Sequence, residues 1–350
     1  MKKFALSVAA LALSAAGAFA ADLPSRKAEP YLPPPPPPPP MWTGFYAGLN
    51  AGYGFGTNSN TQSIASGYHG YNYWNEGFDE AYVGGVSTLG AGLALSGVGN
   101  NSNQNGFIGG GQVGYNYQWG PSFVIGIEAD IQGTGIRGNS RTVGLGADST
   151  WLGYDYEPNN NYHLLNSTAS GTTSVHAGVD WMGTVRGRLG YLFTPTMLVY
   201  ATGGLTYGGV YANVNNYAVA TSNADDYDGG EFDRTDASWN HTFVGGGAKS
   251  STLVGWNVGG GLEWMFMPNW SLKAEAIYWN MGNMTLPTVS YAVSPEGNSN
   301  NCDGPCIAGP SASPATAIGA TRVNYQGVIA RAGVNYHFNW FAPAPVVAKY

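Results

Sequence analysis

Eight segments of the chain alternate between apolar and polar or small residues at every second position. In the first segment, Phe45, Ala47 and Leu49 fall on one face, and Tyr46 and Asn50 fall on the other. A period of two is typical of a β-strand whose two faces meet different surroundings. The predicted strands cover residues 44–55, 107–119, 123–135, 174–192, 197–209, 252–266, 270–281 and 325–338. The pattern therefore predicts an all-β fold of eight antiparallel strands.

The connections between these strands alternate in length. Those after the second, fourth and sixth strands take about three to five residues and contain turn formers such as Gly120 and Pro121. The other connections cover residues 57–105, 136–173, 211–251 and 283–320. Outer-membrane barrels have short periplasmic turns and long external loops. We therefore predict an eight-stranded antiparallel transmembrane β-barrel with both chain ends on the periplasmic side.

Composition favours hydrocarbon on the outer face. Charged residues make up 10% of the chain and aromatic residues 13%, with 53 glycines among 350 residues; a typical soluble domain has about 25% charged residues. Aromatic residues also gather at the strand ends, where an interfacial girdle belongs. These are Trp42, Phe45, Tyr117, Trp119, Phe123, Tyr191, Phe193, Trp264, Phe266, Trp270, Phe338 and Trp340. Periodicity alone leaves open a soluble, ligand-binding barrel with the opposite orientation.

The polar faces carry charges that a membrane barrel would turn inward. An eight-stranded barrel is just wide enough to be filled by side chains, and an unpaired buried charge is strongly destabilising. We therefore expect a plugged core in which Glu128 or Glu275 pairs with Arg186, Arg188 or Arg331. The expected interior network is Glu128, Asp130, Asp180, Arg186, Arg188, Glu263, Lys273, Glu275 and Arg331.

The two ends of the chain differ from the barrel. Residues 1–20 have the basic start, apolar run and small-residue cleavage site of a secretory signal peptide. Residues 21–41 contain eight consecutive prolines, which predict a stiff extended spacer in the periplasm. The barrel is expected over residues 42–338, followed by a tail over 339–350.

Other chemistry is weakly indicated. Cys302 and Cys306 lie in a Gly/Pro-containing loop, and in an exported chain a local disulfide is favoured over a metal or redox site. An acidic cluster over residues 225–236 fits either a solvated loop or a site for divalent cations and lipopolysaccharide. The net charge of −7 offers no basis for nucleic-acid binding. Catalytic motifs are missing from the sequence, so we expect no enzyme activity, cofactor or metal.

Three stretches carry a resemblance to a known family: the start Ala21-Asp22-Leu23-Pro24 with the first strand Trp42 to Gly54, the strand Trp270 to Glu275, and the last strand Gly333 to Phe338. Together they resemble the alphaproteobacterial outer-membrane immunogenic proteins, also labelled porin-family outer-membrane β-barrels. The resemblance implies an OmpA-like eight-stranded barrel with antigenic surface loops, located in the outer membrane of a Gram-negative cell. Its implied partners are outer-membrane lipid, lipopolysaccharide and the barrel-assembly machinery. A structural or surface-interaction role is the leading hypothesis, with a small-solute diffusion channel or haem binding by the loops as alternatives.

Overall fold

The computed structural model describes residues 42–57, 61–67, 70–74, 82–86, 95, 97–99, 104–154, 162–228, 231–299 and 316–338. The barrel strands are β1 (Gly44–Gly56), β2 (Asn105–Trp119), β3 (Phe123–Tyr154), β4 (Tyr162–Thr194), β5 (Met197–Asp228), β6 (Glu231–Met267), β7 (Trp270–Ser299) and β8 (Thr316–Phe338). Each strand pairs antiparallel with the next, and β1 also pairs with β8. This closed ring confirms the predicted eight-stranded barrel. Within the described ranges, no helix has the length and hydropathy required to span a membrane.

Short strands lie outside the ring. Thr61–Gly67 pairs with the outer part of β8, and Gly97–Gly99 pairs in turn with Thr61–Gly67. Gly70–Trp74 and Tyr82–Val86 form a separate two-stranded sheet. All four come from the connection between β1 and β2, so part of this connection is itself sheet.

The stagger of the barrel follows from its pairing. A row of paired residues that starts at Phe45 on β1 returns to β1 at Phe55, ten residues further along. The row passes through Tyr115, Ile127, Gly187, Gly203, Val258, Tyr278 and Val328. Ten residues advance about 33 Å along a strand, whereas eight strands span about 38 Å across the sheet. The strands therefore tilt by about 40°, as in outer-membrane barrels, and each residue rises about 2.5 Å along the barrel axis.

Strands β3 to β8 continue well into the segments that the sequence assigns to loops. β3 reaches Tyr154, and β4 begins at Tyr162. The outer faces of these extensions are rich in Thr, Ser and Asn, which gives them a loop-like composition. Their inner faces combine apolar side chains with buried polar ones such as Thr173 and Asn216, and the closed sheet pairs their backbone groups. The inward side chains include Val175, Ala177, Val210, Ala212 and Val214.

A β-bulge in β4 changes which face its residues occupy. Against β5, Val179 pairs with Val210 and Trp181 with the next residue, Gly209, so Asp180 is an extra residue in β4. Asp180 and Trp181 consequently both point outward, and Val179 is fully buried. The sequence prediction that Asp180 faces the interior is wrong, because the bulge adds one residue to the alternation.

The buried side chains form layers along the barrel axis. At the end with the short turns lies an apolar layer of Trp42, Val124, Leu192, Leu198, Tyr200 and Met265, here called the lid. The charged side chains described below come next. Beyond them is a larger apolar cluster, here called the upper core, which includes Ile136, Val179, Trp279 and Met281. Leu95 and Phe243 belong to a third apolar cluster near the far end.

Candidate functional site

Eight charged side chains fill the middle of the barrel. Each is at most 5% exposed. Four are acids and four are bases, so their formal charges balance. They project inward from β3, β4, β6, β7 and β8. They are Glu128, Asp130, Arg186, Arg188, Glu263, Lys273, Glu275 and Arg331.

Arg186 lies at the centre of the larger group of charges. Its guanidinium forms an ion pair with Glu128, lies 3.2 Å from Asp130 Oδ2 and 3.1 Å from Glu275 Oε2. Glu128 and Asp130 come from β3, whereas Glu275 comes from β7. The Arg186 side chain therefore links two separate parts of the wall across the lumen.

Lys273 and Arg331 complete this group. The Lys273 Nζ atom lies 2.9 Å from both carboxylate oxygens of Glu128 and 3.0 Å from Glu275 Oε1. Arg331 donates to Asp130 at 2.7 Å and to Glu275 at 2.6 Å. Each acid thus contacts at least two bases. This arrangement offsets the large desolvation cost of burying the charges.

Arg188 and Glu263 form a second ion pair, closer to the lid. The Arg188 guanidinium stacks on the ring of Tyr200, 3.7 Å from the ring centre. The Glu263 carboxylate also accepts hydrogen bonds from Ser271 and, at 2.7 Å, from Asn335. The pair is therefore desolvated but fully hydrogen-bonded on its acidic side.

Ser271, His337 and Glu263 bring together a hydroxyl, an imidazole and a carboxylate, a grouping that the sequence did not reveal. The Ser271 hydroxyl donates to Glu263, and His337 Nε2 lies 2.9 Å from Ser271 Oγ and 3.4 Å from the same carboxylate oxygen. In a hydrolytic triad, the acid instead holds the imidazole nitrogen that faces away from the serine. All three residues are buried, with Trp42 packed edge-on against the His337 ring. The geometry fits a structural hydrogen-bond cluster.

Two sequence-predicted positions need correction. Asp180, predicted inside, has a 56% exposed side chain on the outer wall, 3.9 Å from Arg137, because of the bulge in β4. Trp42, predicted in the lipid-facing girdle, is 1% exposed and donates its indole N–H to the Pro195 carbonyl at 2.9 Å. It lies in the lid because the chain turns across the barrel mouth before β1. Outside the described residues lie Cys302, Cys306, Trp340 and the predicted segments 1–20, 21–41 and 339–350.

The outer wall carries two girdles of aromatic side chains. The lower girdle, at the short turns, contains Phe45, Tyr115, Tyr117, Trp119, Phe123, Tyr191, Phe193, Trp264, Phe266, Trp270, Tyr336 and Phe338. The upper girdle contains Tyr53, Phe55, Phe107, Trp181, Tyr207, Trp256 and Tyr278. The sequence indicated only the lower girdle, because the upper one lies within the strands. The stagger of the sheet aligns its members at one height.

The spacing of the girdles matches a membrane. The ten residues from Phe45 to Phe55 correspond to about 25 Å along the axis, which is the height of the apolar band of an outer-membrane barrel. Between the girdles, the outward side chains of the eight strands are Gly, Ala, Val, Leu or Ile, such as Leu49, which is 74% exposed. This wall excludes charge and is suited to hydrocarbon.

No family model matches the chain. Curated relatives do: the "31 kDa outer-membrane immunogenic protein" of Brucella melitensis biotype 1 and that of Brucella suis biovar 1 are each 31% identical to it over 280 residues. Each alignment covers 79% of this chain and 87% of the relative. The chain belongs to this family. It is an outer-membrane immunogenic protein in family and an outer-membrane β-barrel in fold, as the sequence predicted.

Solved barrels are also similar to this outer-membrane immunogenic protein, at low scores. The outer membrane protein OprG of Pseudomonas aeruginosa has a TM-score of 0.28 and 8% identity, covering 85% of this chain and 96% of OprG. Ail, the attachment invasion locus protein of Yersinia pestis, has a TM-score of 0.21 and 10% identity, covering 83% and 99%. Scores this low add nothing to the fold, which follows from the closed pairing of β1 with β8.

The charged network of this outer-membrane immunogenic protein lies at the height of the hydrocarbon band. Lys273 is three residues from Trp270 of the lower girdle, and Arg331 is three residues from Val328, the partner of Phe55 in the upper girdle. The charges are therefore surrounded by a wall that is itself surrounded by lipid. Neither side offers water to an unpaired charge, so their mutual pairing is a condition of the fold.

Proposed function

We propose that this outer-membrane immunogenic protein is a closed barrel with a structural and surface-interaction role, rather than a diffusion channel for small solutes. One observation carries the proposal: side chains fill the described interior from end to end. The lid covers the mouth at the short turns, and ion pairs occupy the centre. The upper core fills the part beyond.

The far end is also occupied. Leu95, from the connection between β1 and β2, is buried between the strands. The Thr173 hydroxyl donates to its carbonyl oxygen at 3.1 Å. Leu95 thus lies within the barrel end, where a channel would need an opening.

Single-channel recording in planar bilayers tests the closed interior. We expect the full-length protein to give no stable openings of ordinary porin size, under conditions where a known outer-membrane channel conducts. Trp42→Ala removes the largest side chain of the lid, and we expect it to stay closed because the ion pairs and upper core remain. Stable openings by the unaltered protein would refute the proposal in favour of a channel.

Labelling of intact cells tests the surface role. If the extended parts of β3 to β8 face the medium, Val143→Cys on the outer face of β3 should react with a membrane-impermeant maleimide. Pro121→Cys, in the short turn before β3, should react only after the cells are opened. The unaltered chain reports the background from Cys302 and Cys306. The reverse labelling pattern would show that the short turns face outward.

A further inference from the structure

Cationic side chains lie on the outer wall beyond the upper girdle. Arg137 and Arg141 project from β3 and Arg322 from β8, and all three are exposed. The height of Arg137 follows from its contact with Tyr211 on β5. Tyr211 lies four residues beyond Tyr207 of the upper girdle, which is about 10 Å along the barrel axis. A lipid headgroup lies at this level when the acyl chains contact the wall below.

Arg137 is held in position on this surface. Its Nη1 atom donates to the Tyr211 hydroxyl at 3.0 Å, and its guanidinium carbon lies 5.6 Å from the centre of the Tyr211 ring. Asp180 Oδ1 lies 3.9 Å from Arg137 Nη2, and the Arg137 side chain is 65% exposed. The guanidinium is thus oriented by Tyr211 while its remaining donors face outward.

Arg141 extends the same face of β3. Four residues separate it from Arg137, or about 13 Å along the strand. Asn139 lies between the two arginines, and its side-chain oxygen is 2.7 Å from Nδ1 of the exposed His176 on β4. Two cations therefore flank a polar strip that can hydrogen-bond to sugar hydroxyls.

The wall below this face is suited to acyl chains. Trp181 and Tyr207 of the upper girdle pack against each other, 6.0 Å between ring centres, directly below Arg137. Val185 and Leu205 continue the apolar surface toward the lower girdle. Arginine is well suited to phosphate because its planar donors bind two oxygens at once.

We propose that Arg137 and Arg141 bind the phosphate groups of a phosphorylated glycolipid of the outer leaflet. Two arginines about 13 Å apart fit a headgroup that carries two phosphates on a disaccharide, whereas an ordinary phospholipid offers one phosphate. Tyr211 is the positioning residue for Arg137. The assignment rests on the orientation proposed above and is independent of whether the barrel conducts.

Binding of bisphosphorylated lipid A to the purified, full-length barrel in detergent tests the site. Each basic group near an anionic lipid surface contributes enough to change affinity about fivefold. We expect Arg137→Gln and Arg141→Gln each to weaken binding about fivefold, and the double variant about 25-fold. Asp180→Asn should strengthen binding, because it removes the acid that competes for Arg137. Because micelles have no sidedness, failure here is distinguishable from failure of the labelling experiment.

Matched controls distinguish specific binding at Arg137 and Arg141 from nonspecific electrostatic attraction to the lipid. Arg322→Gln removes one charge from β8 at a height similar to that of Arg141, and it should bind within about twofold of the unaltered protein. Heat-modifiable gel migration checks that every variant is folded. Equal losses in Arg141→Gln and Arg322→Gln would overturn the assignment to β3, as would undiminished binding by Arg137→Gln/Arg141→Gln. So would equally tight binding of dephosphorylated lipid A, or equal competition by free pyrophosphate.

Discussion

Replacing Arg188 should destabilise the barrel mainly by leaving a buried charge without its partner, and only to a smaller extent by losing packing contacts. Arg188→Met keeps an apolar chain of similar length against Tyr200 but leaves the Glu263 carboxylate buried without its counter-charge. Breaking a buried ion pair from one side costs about 3–5 kcal/mol. The carboxylate keeps its hydrogen bonds from Ser271 and Asn335, which places the expected loss near the lower limit.

Urea unfolding in lipid vesicles, followed by tryptophan fluorescence, measures this loss. With an m-value of about 2 kcal/mol/M, a loss of about 3–4 kcal/mol lowers the unfolding midpoint by roughly 1.5–2 M. Arg137→Met makes the same chemical change at an exposed site and should alter the free energy of unfolding by less than about 1 kcal/mol. The double variant Arg188→Met/Glu263→Gln removes both charges, and we expect it to cost less than the sum of the single variants by about 3 kcal/mol. Additive costs, or a loss below about 1 kcal/mol for Arg188→Met, would refute the reasoning.

Two further predictions use the same unfolding assay. A methyl group at Gly204 would lie 2.1 Å from the Val185 carbonyl oxygen, so Gly204→Ala should cost about 1–3 kcal/mol. Gly133→Ala, where nothing lies within 4 Å of the added atom, should be nearly neutral, and equal effects at the two sites would contradict the packing described here. Leu49→Arg places a charge on the lipid-facing wall midway between the girdles and should cost about 2–4 kcal/mol. Val143→Arg, beyond the upper girdle, should change stability by no more than about 0.5 kcal/mol, and a larger loss there would show that the hydrocarbon band extends further.

The period of two was enough to predict the fold and the faces of most strands. Lipid excludes charge from the outer face, so apolar residues such as Leu49 can be assigned outward and charged residues such as Glu128 inward from their chemistry alone. The partners of the charges were harder to predict, because pairing across the lumen depends on the stagger of the sheet. The sequence suggested Glu128 or Glu275 as partners for Arg188, whereas the structure pairs Arg188 with Glu263 on β6.

The remaining differences have local causes. The alternation at Asp180 fails because a single extra residue in one strand reverses every position beyond it. The extended strands were missed because their outward Thr, Ser and Asn residues have the composition of loops. Usable signals were present. Val210, Ala212 and Val214 continue the apolar alternation of β5 into the segment 211–251, which was assigned to a loop. Val175, Ala177 and Val179 are spaced by two residues, whereas Met182 follows after three, which marks the bulge in β4.

The order of the buried charges along the chain bears on how a complete barrel differs from an incomplete one. Glu128 and Asp130 on β3 are balanced by Arg186 and Arg188 on β4, and Glu263 on β6 by Lys273 on β7. Glu275, also on β7, keeps the running sum at minus one until β8 supplies the last base, Arg331. A chain that stops before β8 would have to hold one uncompensated negative charge within hydrocarbon, as well as an open edge. The buried charges therefore sum to zero only when β8 is in place. An intermediate that contains β7 but not β8 has an internal charge of minus one, whereas the complete barrel is neutral inside.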